Sequence, residues 1–313
     1  MGSLHTAIVS HGEVDKEATE TYGTGPVLLR IGNGGAGATG LIRALAEDYL
    51  STIPEKRSIQ WICNHSRNTQ LALLRGYIDV ALTYERDQEQ VAAAEGWSHT
   101  AGCVMHDHFC LAGPVLDPAR LRGATSLSEC FQRIAAAKAL FHSRADASAT
   151  MWKERRLWEE VGQRPWEQQQ QQLSECDDAA AAASGLVSWY RTSVLTPAEA
   201  LKRADKEGAY LLTDRSTLLR QVWLGNISHT TVFVEPDACD HVLMNSCYAL
   251  CSPAASPETR AFVEYMLGDR AQALIGAYGT DEAGLPLFAK AADGFARTRT
   301  TGGRIVSGKW VGV

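Results

Sequence analysis

Between residues 26 and 83 the chain alternates strand-like and helix-like segments, and that order constrains the fold class more than any other feature. Residues 26–31 (Pro-Val-Leu-Leu-Arg-Ile) read as a buried strand, and a glycine-rich turn at 32–40 leads into a helix over 41–51. Residues 58–63 form a second strand ending in the polar turn Asn64-His65-Ser66-Arg67-Asn68. A helix over 69–75, Gly76 and a strand over 78–83 follow. Strand, helix, strand, helix, strand in succession demands a mostly parallel sheet with helices on its faces, an α/β architecture.

The remainder continues the theme. A longer strand is expected over 103–113, ending at Gly113-Pro114, and then a helix over 127–140. Further helices are expected over 197–207, 257–268 and 269–278, with strands at 208–215, 231–234 and 242–251. Residues 166–184, with glutamines at 168–172 and alanines at 179–183, read as a surface insertion. Residues 294–313 read as an appended tail and residues 1–24 as a polar N-terminal segment. At 313 residues the chain has room for two domains.

Charge and cysteine usage narrow the classes. A net charge of −6 argues against broad nucleic-acid binding, which needs a basic face, but leaves room for a small anion at a locally positive site. The start of the chain shows no basic stretch followed by an apolar one, so no secretory signal is visible. No apolar run approaches a membrane span. The 8 cysteines are scattered without a Cys-x-x-Cys pair and read as reduced, buried small hydrophobes. A cytoplasmic location is therefore the expectation. Met-Gly-Ser-Leu-His-Thr also matches a short myristoylation pattern.

Several motifs compete for the chemistry. Gly32-Asn33-Gly34-Gly35-Ala36-Gly37, after a strand and before a helix, fits Gly-x-Gly-x-x-Gly. A dinucleotide site wants an acidic residue closing the next strand, and here that strand closes in Cys63-Asn64-His65. A smaller anion held by backbone N–H groups, or glycines that only permit a tight turn, are the other readings. Cys103-Val-Met-His106-Asp-His108-Phe-Cys110 puts His106, His108 and Cys110 on one strand face. Three alternate positions of one strand do not converge on a tetrahedral metal unaided, so no metal site is assigned. His65, His108 and Cys110 remain candidates for acid, base or nucleophile. At 141–158 a polar turn with Ser143, Arg144, Asp146, Ser148 and Thr150 opens a helix carrying Trp152, Trp158 and Val161. An arginine and hydroxyls at a helix N-terminus make an anion site, because free N–H groups and the positive end of the helix dipole point the same way.

Two of these segments carry a family resemblance. Ser143-Arg144-x-Asp146-x-Ser148-x-Thr150-x-x-Lys153-Glu154-x-x-Leu157-Trp158 resembles the anion-binding segment of the tungstate-binding proteins of ABC transporters, members of the periplasmic-binding-protein superfamily. Glu207-Gly208-Ala209-Tyr210-x-Leu212-Thr213-Asp214-Arg215-x-Thr217 resembles a second segment of that family. Weaker matches at Gly76-x-x-Asp79-Val80, Glu95-Gly96-Trp97, Met105-x-Asp107-x-Phe109 and 248–253 keep the same order, so the resemblance spans roughly 27–290. It implies a two-lobed periplasmic-binding-protein-like fold of type II, each lobe a mostly parallel sheet flanked by helices, closing like a hinge on a ligand in the cleft. Lobe 1 would comprise 25–110 and 242–293, and lobe 2 111–241, with crossings near 106–113 and 240–250.

The resemblance also implies a site. Arg144 would supply charge, with Ser143, Ser148 and Thr150 donating. Asn33, Gly34, Gly35, Thr39, His65, Ser66 and Arg67 would complete it from lobe 1, with Asp214 and Arg215 on the floor. The chain departs from the family's pattern in its first ligand loop, where threonine and serine give way to glycine and only Thr39 is kept. It departs again at Ala149 and Met151, where the family has glycine and histidine. The leading expectation is binding of a small anion, an oxyanion or a carboxylate- or phosphate-bearing metabolite, with no cofactor. The rival is an enzyme on the same scaffold acting on a small anionic metabolite. The periplasmic setting in which such a protein would serve a transporter goes with a leader that the sequence does not show.

Overall fold

The computed structural model describes residues 6–144, 146, 148–167 and 189–312. The insertion from 168 onward, with Cys176 and the Asp177-Asp178 pair, lies outside the described residues, as do the first five. The chain divides into two compact units. The first holds the residues up to His108, Ala238–Thr280 and Pro286–Arg297, and the second holds Phe109–Asp237, Asp281–Leu285 and the chain from Thr298.

In the first unit, β2 (Val27–Asn33) lies between β3 (Ser58–Cys63) and β4 (Val80–Thr83), all three parallel. β1 (Glu20–Gly23) pairs antiparallel with β3. Beyond β4 come β10 (Met244–Cys251), the first part of β5 (His99–Pro114) and β11 (Ala289–Lys290), each antiparallel to its neighbour. The helices are α1 (Gly35–Thr39), α2 (Leu41–Leu50), α3 (Ser66–Leu74), α4 (Arg86–Ala94), α9 (Pro257–Leu267) and α10 (Asp269–Ala277). On α2 the buried residues Leu41, Ile42, Leu45 and Ala46 form one stripe at helical spacing. The polar residues of 64–68 are mostly helix: His65 caps α3 in an extended conformation, and the helix begins at Ser66. Residues 6–24 belong to this unit. Asn68 grips the backbone of His11 and Glu13, and Asn64 that of Asp15.

The glycine-rich motif has a packing explanation. Trp61 on β3 donates its indole N–H to the Asn33 carbonyl at 2.7 Å, which lays the ring against the start of α1. A Cβ at Gly37 would stand 2.1 Å from that ring. Asn33 is fully buried, donates to the Leu82 carbonyl at 2.9 Å, and accepts from the Gly37 N–H at 2.9 Å. One amide thus ties β2, β4 and α1 together.

In the second unit the remainder of β5 pairs antiparallel with β8 (Leu211–Asp214) and with β9 (Thr230–Val234). The parallel bridge Phe141–Tyr210 adds β6 (Phe141–Arg144) beside β8, and β7 (Tyr190–Ser193) runs parallel to β6. Helices α5 (Leu127–Ala137), α6 (Ala149–Glu160), α7 (Pro197–Glu207) and α8 (Arg215–Trp223) surround these strands. The core is aromatic: Trp158 of α6 meets Phe131 and Phe141 edge-on, with centroids 4.6 and 5.2 Å apart. Edge-on aromatic pairs fix relative orientation, and here they anchor α6 behind the end of β6. Thr196 and Glu199 form a capping box at the start of α7, with proline following at its first turn. Residues 294–313 do not form one appendage. Residues up to Arg297 belong to the first unit, and the rest adds the hairpin β12 (Arg304–Val306) and β13 (Lys309–Val311) to the second.

Among the described residues no helix is long and apolar enough to cross a membrane. Because Gly37 leaves no room for a side chain, Gly37→Ala should destabilise the protein by about 1–3 kcal/mol through overpacking. Thermal unfolding would show it as a lowered Tm, and an unchanged Tm would mean that the Trp61 contact does not constrain this turn.

Candidate functional site

The second unit brings the 141–158 residues together around a buried guanidinium. β6 ends at Arg144, which is 8% exposed, and α6 begins with Ser148 as its cap. Arg144 donates from Nη2 to Ser148 Oγ at 2.7 Å, and its Nε lies 3.1 Å from Asp146 Oδ2. Asp146 Oδ1 accepts from both the Ser148 N–H, at 3.0 Å, and its hydroxyl, at 2.5 Å. Ser143 and Thr150 are buried beside them. The first N–H groups of α6 have no intrahelical carbonyl to bond, as at any helix start.

Glu154 extends this cluster, and its role was not assigned from the sequence. It is 2% exposed, and its Oε1 accepts from the Tyr190 hydroxyl at 2.9 Å. The Ser143 hydroxyl acts on the same buried carboxyl. Burial pushes the Glu154 carboxyl up to about 7, against the opposing pull of hydrogen bonds and of Arg144. Thr150, Met151, Glu154, Leu157 and Trp158 are the buried positions of α6, so helical spacing from Trp158 was the available signal. Asp214, at the end of β8, faces the same group. Burial raises its carboxyl, while Arg144 acts to lower it.

Arg215 is placed elsewhere. It is 1% exposed and donates to the Thr298 carbonyl and hydroxyl, both at 2.8 Å, with Glu235 at 3.5 Å. Glu235 also accepts from the backbone and hydroxyls of Thr300 and Thr301. Arg215 therefore binds the chain's own C-terminal stretch.

In the first unit the candidate residues lie where β2, β3 and β4 feed their helices. Asn33 is committed as described, and Thr39 donates to the Ala36 carbonyl at 2.7 Å. Gly35 has open space where a side chain would stand, and Gly34 packs near the Asn64 carbonyl. Exposed His65 caps α3, Ser66 Oγ accepts from the Tyr84 N–H at 3.2 Å, and Arg67 pairs with Glu85 at 2.6 Å. His108 and Cys110 are both buried, and the Cys110 thiol lies 3.5 Å from the Thr213 carbonyl. His106 bonds Ser246 Oγ and the Ala291 carbonyl. Among the described residues no three histidine, cysteine or carboxylate side chains gather as metal ligands.

The model of the PBP superfamily domain matches residues 18–270. The tungstate-binding protein TupA of Peptoclostridium acidaminophilum is 31% identical over 68% of this chain and 68% of its own length. The chain belongs to the PBP superfamily, in the family of tungstate-binding proteins of ABC transporters. A Haloferax volcanii protein named as a candidate anion-binding protein of an ABC transporter is 32% identical over 55% of this chain; the chain spans only 45% of that relative's length. A solved periplasmic protein, described as a candidate metal-binding protein, superposes with a TM-score of 0.72 at 28% identity, over 90% of this chain and 100% of its own. The PBP-like fold expected from the two sequence segments is thus the fold of the family.

Arg215→Ala removes the buried donor of the Thr298 carbonyl while Glu235 keeps Arg299 at 3.1 Å and its Thr300 and Thr301 donors, so it should cost about 1–3 kcal/mol in denaturant unfolding. A loss below 1 kcal/mol would remove Arg215 from the structural role. For Glu154 the sign is that of a carboxyl whose folded value is raised. The folded state holds the proton more tightly, so stability falls as pH rises from the ordinary 4.5 to about 7. The loss is on the order of 3 kcal/mol over that window. Glu154→Gln should flatten this decline, measured by chemical denaturation at pH 5 and pH 8.

Proposed function

We propose that this PBP-superfamily chain binds a small anion, an oxyanion or a carboxylate- or phosphate-bearing metabolite, with Arg144 as its principal charge. The observation that carries the reading is the buried Arg144 guanidinium at the mouth of α6, held by Asp146 and Ser148. Fixed forked donors and free helix N–H groups in one place suit an anion and offer little to a neutral ligand. The names of the relatives, a tungstate-binding and an anion-binding protein, support the same class of ligand. As part of this proposal the chain serves an ABC transporter as its binding component, and its two lobes close on the ligand.

Isothermal titration with tungstate, molybdate, sulfate, phosphate and small carboxylates tests the reading. At least one should bind, and Arg144→Lys should weaken it about tenfold to a hundredfold, since it keeps the charge but loses the fork. Circular dichroism would confirm that the variant is folded. No heat with any of these anions, or an unchanged affinity in the variant, would sink the proposal.

A further inference from the structure

Resting on that reading, we infer that residues 6–17 are a positioning strap for the first unit's share of the anion site, acting through Asn64 and Asn68 on the turn between them. The strap lies outside the stretch shared with the PBP superfamily, which begins at residue 18. It is nevertheless built into the unit. Ile8 and Val14 are buried in one cluster with Ile62, Leu71, Leu73 and Ile78. Asn68 accepts from the His11 N–H at 2.9 Å and donates to the His11 and Glu13 carbonyls, both at 2.8 Å. Asn64 accepts from the Asp15 N–H at 3.0 Å and donates to the Asp15 carbonyl at 2.9 Å. At the far end, Glu95 accepts from the Thr6 hydroxyl at 2.6 Å and from the Ala7 N–H at 2.7 Å.

The two asparagines bracket His65, Ser66 and Arg67, where β3 passes into α3. This turn stands where a ligand of such a sheet belongs. β3 pairs with β2 on one side and β4 pairs with it on the other, so the strand order reverses at β2. Open α/β sheets bind ligands outside the carboxyl ends of their strands at such a reversal. The carboxyl end of β2 is the glycine-rich loop, and it rests on the same turn. The Asn64 N–H donates to the Asn33 carbonyl at 3.4 Å, and a Cβ at Gly34 would stand 3.1 Å from the Asn64 carbonyl oxygen. Glycines at 34 and 35 give this loop more backbone freedom than other residues would, and freedom lost on binding weakens affinity. A turn already fixed at both ends when the chain folds removes part of that loss. The Asn64 and Asn68 side chains are committed to the strap, so they act on the ligand through the turn.

The test is titration calorimetry of the full chain with tungstate, molybdate, sulfate and phosphate, with circular dichroism to establish that each variant is folded. Asn68→Ala cuts the strap from the turn and should weaken the tightest-binding anion about tenfold. His11→Pro removes one N–H from the strap, leaves α3 intact, and should weaken binding in the same sense. Glu95→Ala loosens only the strap's far end, so it should lower the Tm and leave the affinity within about twofold. Hydrogen exchange of the amides at 65–69 should quicken in the first two variants and not in the third. An unchanged affinity in His11→Pro and in any folded Asn68→Ala overturns the inference while leaving anion binding in place. So does a loss of affinity in Glu95→Ala as large as in the other two, which would make the strap a matter of stability alone. Binding of none of these anions by the unaltered chain overturns the anion reading, and the inference with it.

Discussion

A guanidinium cannot be dehydrated for nothing, and this constraint organises the second unit. Among the described residues two arginines are buried, each at a strand-to-helix junction of the second unit, and they are treated differently. Arg215 is matched by the Thr298 carbonyl and hydroxyl and by Glu235, groups far away in sequence, so its burial closes the C-terminal stretch onto β9 and α8. Arg144 is matched locally, by Asp146 and Ser148, two and four residues on. A local match costs little ordering of the chain, and it can be rearranged without unfolding the unit. The first arginine is a fastening, and the second suits the proposed anion.

The first unit solves a different problem with glycine and amide chemistry. Its three parallel strands deliver their helices at one edge, where backbone groups need partners. Asn33 satisfies the Leu82 carbonyl and the Gly37 N–H, and Trp61 caps the Asn33 carbonyl. The indole's approach excludes any side chain at Gly37, whereas Gly35 faces open space. One glycine of the motif is therefore required by packing, and the other leaves room at the helix start. That division is what a pattern match to Gly-x-Gly-x-x-Gly cannot distinguish.

Local patterns were readable where the physics is local. The strand at 58–63 and the helix at 197–207 stand where hydrophobic runs and a proline-led capping box place them. The helix after His65 starts three residues earlier than expected, because an extended capping residue admits polar side chains to the first turn. The partners of Arg215 were hidden for a different reason: Glu235 and Thr298 are 20 and 83 residues away, and nothing in spacing reveals such a pairing. The division of residues 294–313 between the units was hidden in the same way. Glu154 was legible in principle. It lies four residues before Trp158 and four after Thr150, on the buried face of α6, and a charged residue on an aromatic helix stripe is a signal.

That signal bears on why Glu154 is there at all. A buried carboxyl beside an arginine is seldom the most stable filling for its volume; a well-packed apolar residue is often better by a few kcal/mol. Tyr190 and Ser143 both hydrogen-bond this carboxyl, and Tyr190 itself lies in the aromatic stack with Phe141, at a centroid distance of 5.9 Å. The core would accept a hydrophobic residue at position 154 with Tyr190 as its neighbour. What an apolar side chain could not provide is an acceptor under Ser143 and Arg144. Carboxyls perturbed by burial beside a specific charge gather at functional sites. The burial cost at Glu154 is therefore best understood together with Arg144, whose charge acts on this carboxyl as the Ser143 and Tyr190 hydrogen bonds do.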